Sequence, residues 1–334
     1  MGEIHTNTTL EEIVKQIKNA DRIVLTTHVK PDGDAFGGTL ALARMINRLG
    51  KHGEIWHVPP ANSLYQSLLG SDVVHLVEDG QQPSEDIDLV VVVDTCAWSQ
   101  LENFKTFLED KRDRMCVIDH HIQGDDIAKW CYTDPSAGSV CEILTGLVSM
   151  LGLSLDEELA TPLYLGIATD TGWFRFSNTS ARTMRLAAQL LEAGVKHNHL
   201  MQLSEQQDRP SRLRLMARAL TSLELLNEDR IAILSLRHDD YVECNADSED
   251  NHGLADLPLS VKSIEMVCVI TESQPGIVKL SLRSKADPNA INVSDFAAQF
   301  GGGGHARASG AKITSMSFEE VHTRILNAVK QLQG

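Results

Sequence analysis

Residues 88–95 read DLVVVVDT, one leucine and four valines closed by the carboxylate of Asp94. A run this rich in β-branched residues forms a strand, and one apolar on both faces belongs to a sheet covered on both sides. The same pattern recurs outward from it. RIVLTT (22–27) runs into His28-Val29-Lys30-Pro31-Asp32-Gly33-Asp34, RMCVI (114–118) into Asp119-His120-His121, and GEIWHV (53–58) is a further strand. Helical patterns lie between them, above all AFGGTLALARMINRLG (35–50), which Gly50 closes. From Ser136 to about Val195 the pattern is helical throughout, and Thr8-x-x-Glu11 predicts a capping box at the head of the first helix. Strand–loop–helix repetition predicts an α/β fold with a parallel sheet and helices on both of its faces.

The chain has 334 residues, more than one hydrophobic core usually organises, so two domains are expected. The first covers 1–190, a linker with helix 191–214, and a smaller α/β domain with a mixed sheet 215–334. In the second, VCVITES and VKLSLRS flank Gln274-Pro275-Gly276, a hairpin turn. No apolar run approaches the roughly 20 residues that cross a bilayer. The N-terminal residues lack the basic and apolar regions of a secretory signal, so the expected location is cytoplasmic, away from membranes. Six scattered cysteines without a CxxC pair read as reduced, buried thiols. A net charge of −16 argues against coating long duplex nucleic acid, while leaving room for a short nucleotide in a pocket. A homodimer is compatible with the sequence.

Polar residues converge where the apolar strands end. Three strands deliver carboxylate or imidazole to one sheet edge, and a helical segment adds Ala168-Thr169-Asp170-Thr171-Gly172. Ligands of open α/β sheets bind outside the carboxyl ends of the strands. Several ionised carboxylates packed together repel one another and pay for desolvation. A divalent cation removes that cost, and two of them about 3.5–4 Å apart stabilise both the attacking and the leaving oxygen of a phosphoryl displacement. A mixed imidazole and carboxylate set suits Mn²⁺ first, with Mg²⁺, Co²⁺ or Zn²⁺ as alternatives. One such Asp or His alone would be a helix cap or a core residue; the recurrence points to a metal centre.

HVKPDGDAFGG, VVVDT, VIDHH and ATDTG resemble, in order and spacing, the four successive motifs of the DHH phosphoesterase superfamily, over roughly residues 20–175. The resemblance implies that His28 and Asp32 hold one metal, that Asp34, His120 and Asp170 hold the second, and that Asp94 bridges the two. It further implies that His121 acts as general acid or electrostatic partner, and that Asp119 orients a histidine. A bridging water would be the nucleophile. The one departure is Gly38, where a small polar residue such as Ser is often found.

Phe300-Gly301-Gly302-Gly303-Gly304-His305-Ala306-Arg307 is the second anomaly. Four consecutive glycines lose much chain entropy on folding, and such loops expose successive N–H groups that cradle anions. The run sits between apolar segments, which suits a binding loop better than a flexible linker. With Leu282-Arg283-Ser284 it resembles the DHHA1 domain that accompanies one branch of the superfamily, where a GGGH loop and a strand-end arginine grip the nucleotide across a cleft from the metals. The matching residues are Arg283, Gly303, Gly304 and His305. In GWFRFSN (172–178), Trp173, Phe174 and Phe176 read as core side chains rather than base-stacking platforms, and Arg175 as a substrate contact.

The resemblance is nearest to the bacterial nano-RNase and pAp-phosphatase group, which implies hydrolysis of very short oligoribonucleotides, of 3′-phosphoadenosine 5′-phosphate (pAp), or of both. The runner-up is a phosphodiesterase for cyclic di-AMP or its linear product pApA. From a different class, a metal-dependent nucleotide sensor without turnover would fit the ligands, but His121 standing beside an intact set of them weighs against it.

Overall fold

The computed structural model describes residues 2–3, 6–59, 64–78, 81–285 and 291–332. The chain divides into two compact units, Met1–Gln206 and Gln207–Gly334.

In the first unit six strands form one sheet: β1 (Arg22–Thr26), β2 (His52–His57), β3 (Val74–Leu76), β4 (Leu89–Val93), β5 (Met115–Asp119) and β6 (Trp130–Thr133). Their order is β3-β2-β1-β4-β5-β6, and every neighbouring pair is parallel. The valine run explains why β4 lies inside. Val91 and Val93 pack into one apolar cluster, Val90 and Val92 into the other, and all four are fully buried. Burying one such side chain contributes about 1.5–3 kcal/mol.

The first cluster lies under α1 (Leu10–Asn19), α2 (Gly33–Arg48), α3 (Val140–Met150), α4 (Glu157–Asp170), α5 (Ala181–Glu192) and α6 (His197–Glu205), which contribute Ile17, Leu40, Leu144, Leu163, Leu190 and Leu200. The opposite face has a thinner cover, built around Leu101, Phe104 and Leu108. The cap of α1 falls one residue later than the sequence pattern predicts: Thr9, not Thr8, accepts the Glu12 N–H, at 3.3 Å. Strand order reverses between β1 and β4, so the crevice at their carboxyl ends is the topological switch point where such sheets bind ligands.

The second unit has a mixed sheet of β7 (Glu224–Leu226), β8 (Ile231–Leu236), β9 (Met266–Gln274), β10 (Ile277–Ser284), β11 (Gly303–His305) and β12 (Ala308–Ile313). The order is β11-β12-β10-β9-β8-β7; β8 and β9 run parallel, and the other pairs antiparallel. The β9–β10 hairpin turns at Pro275-Gly276, with Gln274 opposite Ile277. Among its helices are α7 (Pro210–Thr221), α8 (His238–Cys244), α9 (Val293–Ala298) and α10 (Phe318–Gln331). Phe296, Val321 and Ile325, from α9 and α10, cover one face; Leu215 and Tyr241, from α7 and α8, cover the other over β8 and β9. The stretch 191–214 is mostly helical, and the division between units falls within it. All six cysteines are buried free thiols. No helix among the described residues is long and apolar enough to cross a membrane.

Candidate metal centre

Because β1, β4 and β5 are neighbours in the sheet, the residues that follow them meet at one edge. His28 leaves β1, Asp94 ends β4, and Asp119-His120-His121 ends β5. Asp32 caps α2, its carboxylate accepting the N–H groups of Asp34 and Ala35 at 3.0 Å each. Asp170 closes α4 and reaches the same place from the helical layer.

Asp94 is the centre of the cluster. It is 3 % exposed and adopts a positive φ of 64°, a conformation that costs a non-glycine residue of order 1–3 kcal/mol and concentrates at functional sites. His28 Nε2 lies 3.5 Å from its Oδ2, and His120 Nε2 lies 3.4 Å from its Oδ1. Asp32 is 3.9 Å from His28 Nε2; Asp170 and Asp34 are 3.6 and 4.0 Å from His120 Nε2. Three groupings have ligand atoms within 4.8 Å of one another: His28, Asp32 and Asp94; Asp34, His120 and Asp170; and Asp94, His120 and His121.

Second contacts aim these groups. His28 Nδ1 is 2.9 Å from the Val29 carbonyl, and His120 Nδ1 is 3.4 Å from the Ala137 carbonyl, so both rings turn Nε2 toward the carboxylates. Asp34, 1 % exposed, accepts the N–H groups of Val140 and Cys141 at 2.6 and 3.0 Å, at the N-terminus of α3. Asn178 Nδ2 donates to the carbonyls of Gly138 and Asp170, at 3.0 and 3.2 Å. Residues 137–141 thus support Asp34, His120 and the end of α4 together. Asp119 is fully buried, and its Oδ1 accepts from His121 Nδ1 at 2.8 Å. The His121 ring is half exposed beside a cleft of about 310 Å³, and its Nε2 has no hydrogen-bond partner among the described residues.

The electrostatics are those of a site short of positive charge. Burial, then the charge of Asp94, pushes the Asp34 carboxyl well up. Burial likewise raises Asp170 to about 6. Burial would lower both imidazoles, but hydrogen bonds to Asp94 and the surrounding carboxylates outweigh it and lift His28 to about 9 and His120 to about 10. Those two imidazoles in turn hold Asp94 below its usual range, against its burial. His121 is raised chiefly by its bond to Asp119. Asp94 Oδ1 and Asp119 Oδ2 are buried without a hydrogen bond of good geometry. Carboxylates and imidazoles at these distances, with Asp94 Oδ1 left without a hydrogen bond of good geometry, fit divalent cations.

The glycine run forms an ordered hairpin. Across β10, β12 and β11, Arg283 pairs with Ala308 and Ala308 with His305, so guanidinium and imidazole share one sheet face with a small residue between them. Both are exposed, and the Arg283 guanidinium donates to the Leu282 carbonyl at 3.1 Å. A Cβ on Gly302 would lie 2.1 Å from the Gly310 oxygen, and Gly304, at φ 141°, would meet the Ala308 oxygen at 2.7 Å; at Gly303 the space is open. The backbone therefore requires Gly302 and Gly304, Gly301 stands at a left-handed φ of 73°, and of the four only Gly303 is left for something else.

Sequence reasoning missed the 137–141 turn, and it missed Gln100 and Gln123, which line the cleft. It also misread Phe176. Trp173 and Phe174 pack partly buried against the core, but Phe176 is 58 % exposed, because its ring lies over Gly172 instead of turning inward.

Comparison with known proteins finds matches to both units of the chain. Residues 22–167 match the model for the DHH family, N-terminal domain, and residues 231–333 match the DHHA1 domain. The chain is 31% identical over 330 residues to the bifunctional oligoribonuclease and PAP phosphatase NrnA of Thermus thermophilus, covering 96% of this chain and 92% of that one. It is 26% identical to the protein of the same name from Mycoplasma genitalium, covering 97% and 98%. Among solved structures, an exopolyphosphatase-related protein from Bacteroides fragilis superposes with a TM-score of 0.82 at 25% identity, over 97% of this chain and 96% of that one.

Proposed function

The chain belongs to the DHH family of phosphoesterases, and we infer that it uses two divalent cations, Mn²⁺ first, to hydrolyse very short oligoribonucleotides and pAp. The observation that carries this reading is Asp94: buried, strained, flanked by an imidazole on each side, and keeping one oxygen without a hydrogen bond of good geometry.

His28 and Asp32 would hold one cation, Asp34, His120 and Asp170 the other, and Asp94 both. Bound there, the pair supplies the charge that lowers the pKa of a water and offsets a phosphate's charge as it is attacked. The remaining steps fall to the chain itself. Asp119 fixes the His121 ring through Nδ1 and favours its protonated form, so His121 Nε2 can give a proton to the departing oxygen. Asp119 acts through His121 and is a positioning residue. Arg283 offers a planar fork of donors to a phosphate, and His305 with the N–H groups of Gly303 and Gly304 offers further donors for the rest of the nucleotide.

The test is AMP release from pApA and from pAp in Mn²⁺, with His121→Ala as control. Release from the wild type, reduced about 10²-fold or more in the variant, supports the reading. A folded, metal-loaded protein that releases AMP from neither substrate overturns it.

A further inference from the structure

After Asp170 the chain makes a turn that the fold alone does not explain. Gly172, Trp173 and Phe174 all have positive φ, at 56°, 56° and 65°, and two of the three are bulky aromatics for which that region is strained. The strain is held by packing. Phe174 sits edge-on to Tyr164, with ring centroids 6.0 Å apart, while Trp173 packs against His197 at 5.4 Å and donates Nε1–H to Glu205 at 2.9 Å.

Two anchored rings thus force a left-handed turn whose outcome is the placement of the third. The N–H groups of Arg175 and Phe176 both donate to the Thr171 carbonyl, at 3.0 Å each, and the turn folds the Phe176 ring back over Gly172. A Cβ on Gly172 would lie 2.5 Å from that ring, so only glycine admits it. The ring remains 58 % exposed, and a polar residue would satisfy the fold as well there. Gly172 is two residues from Asp170, so its Cα is within about 7.6 Å of that ligand's Cα. Beside it, Arg175 is tied by Nε to the Gly172 carbonyl at 2.7 Å, its terminal nitrogens having no hydrogen-bond partner among the described residues.

We propose that Phe176 is a nucleobase platform: the base of the nucleotide whose phosphate lies at the carboxylate cluster stacks on its ring, and Arg175 faces the adjoining phosphate. The proposal rests on the reading of the site as one for nucleotides. A flat, uncharged π-face suits a base of any identity and leaves charge discrimination to the cluster, so the platform selects for the presence of a base, not for which base.

The test separates stacking from turnover by measuring binding of AMP and of ribose 5-phosphate to the Mn²⁺-loaded protein by calorimetry. The wild type should bind AMP about tenfold or more tightly than ribose 5-phosphate, Phe176→Ala should erase that preference, and Phe176→Trp should keep it. In turnover of pApA, Phe176→Ala should raise KM with little change in kcat. A Phe176→Ala protein that keeps the preference, or that weakens both ligands equally, overturns the platform. Failure of the wild type to release AMP from pApA would instead strike the phosphoesterase reading, and the binding comparison would still decide the platform.

Discussion

In the carboxylate cluster Asp34 is held by two backbone N–H groups, and the rings of His28 and His120 by carbonyls; in the glycine hairpin Gly303, Gly304 and His305 are exposed and the Arg283 guanidinium meets one carbonyl. The first region is built before any ligand arrives and lacks only positive charge. The second presents side chains and backbone that are exposed, open to whatever ligand arrives. The difference teaches where losses should fall: changes in the cluster should act on turnover and metal, changes in the hairpin on substrate affinity.

Asp119→Asn should break the cluster most informatively. It lies outside the three metal groupings, so kcat should fall by about 10²–10⁴-fold while metal content is unchanged. Loss of bound metal from that variant, read by elemental analysis, would make Asp119 a ligand. Arg283→Ala should raise KM for pApA roughly 10- to 100-fold, the worth of a charged hydrogen bond, with kcat nearly constant. The opposite pattern, kcat collapsing at unchanged KM, would move Arg283 into the chemistry and dissolve the contrast.

The glycines sharpen it further. Gly304→Ala, forced into φ 141° against the Ala308 oxygen, should cost more than about 1 kcal/mol in denaturant unfolding. Gly303→Ala, with open space around it, should leave stability unchanged and raise KM. Equal destabilisation by both would make the run purely structural.

The smallest effect concerns pH. In the metal-free protein His28 and His120 are raised from 6.5 to about 9 and 10, so the folded state holds protons that the unfolded state releases. Their stabilisation is complete below 6.5 and is lost as pH rises through those values. A cation takes the place of those protons. The gain in Tm on adding Mg²⁺ should therefore grow by a few degrees between about pH 6 and pH 9. A gain that is flat across that window would place the bound cation elsewhere.

Much of this was legible in the sequence because it is local. A β-branched run closed by a carboxylate announces both a buried strand and what its end delivers, and β1, β4 and β5 do this in turn. What stayed hidden is non-local or rotational. The donors to Asp34 lie 106 and 107 residues further along, as backbone N–H groups that any residue but proline would supply. Whether three aromatics in seven residues face in or out depends on a left-handed turn, and only Gly172 hinted at one. Thr8 and Thr9 are chemically equivalent caps, and the register of α1 chose between them.

The most direct test of the two-cation centre is its stoichiometry, measured by equilibrium dialysis against Mn²⁺ for the wild type and Asp94→Asn. The account predicts two ions per chain in the wild type, and the loss of at least one from a variant that stays folded. One ion or none in the wild type, or two retained by Asp94→Asn, would contradict a centre bridged by Asp94.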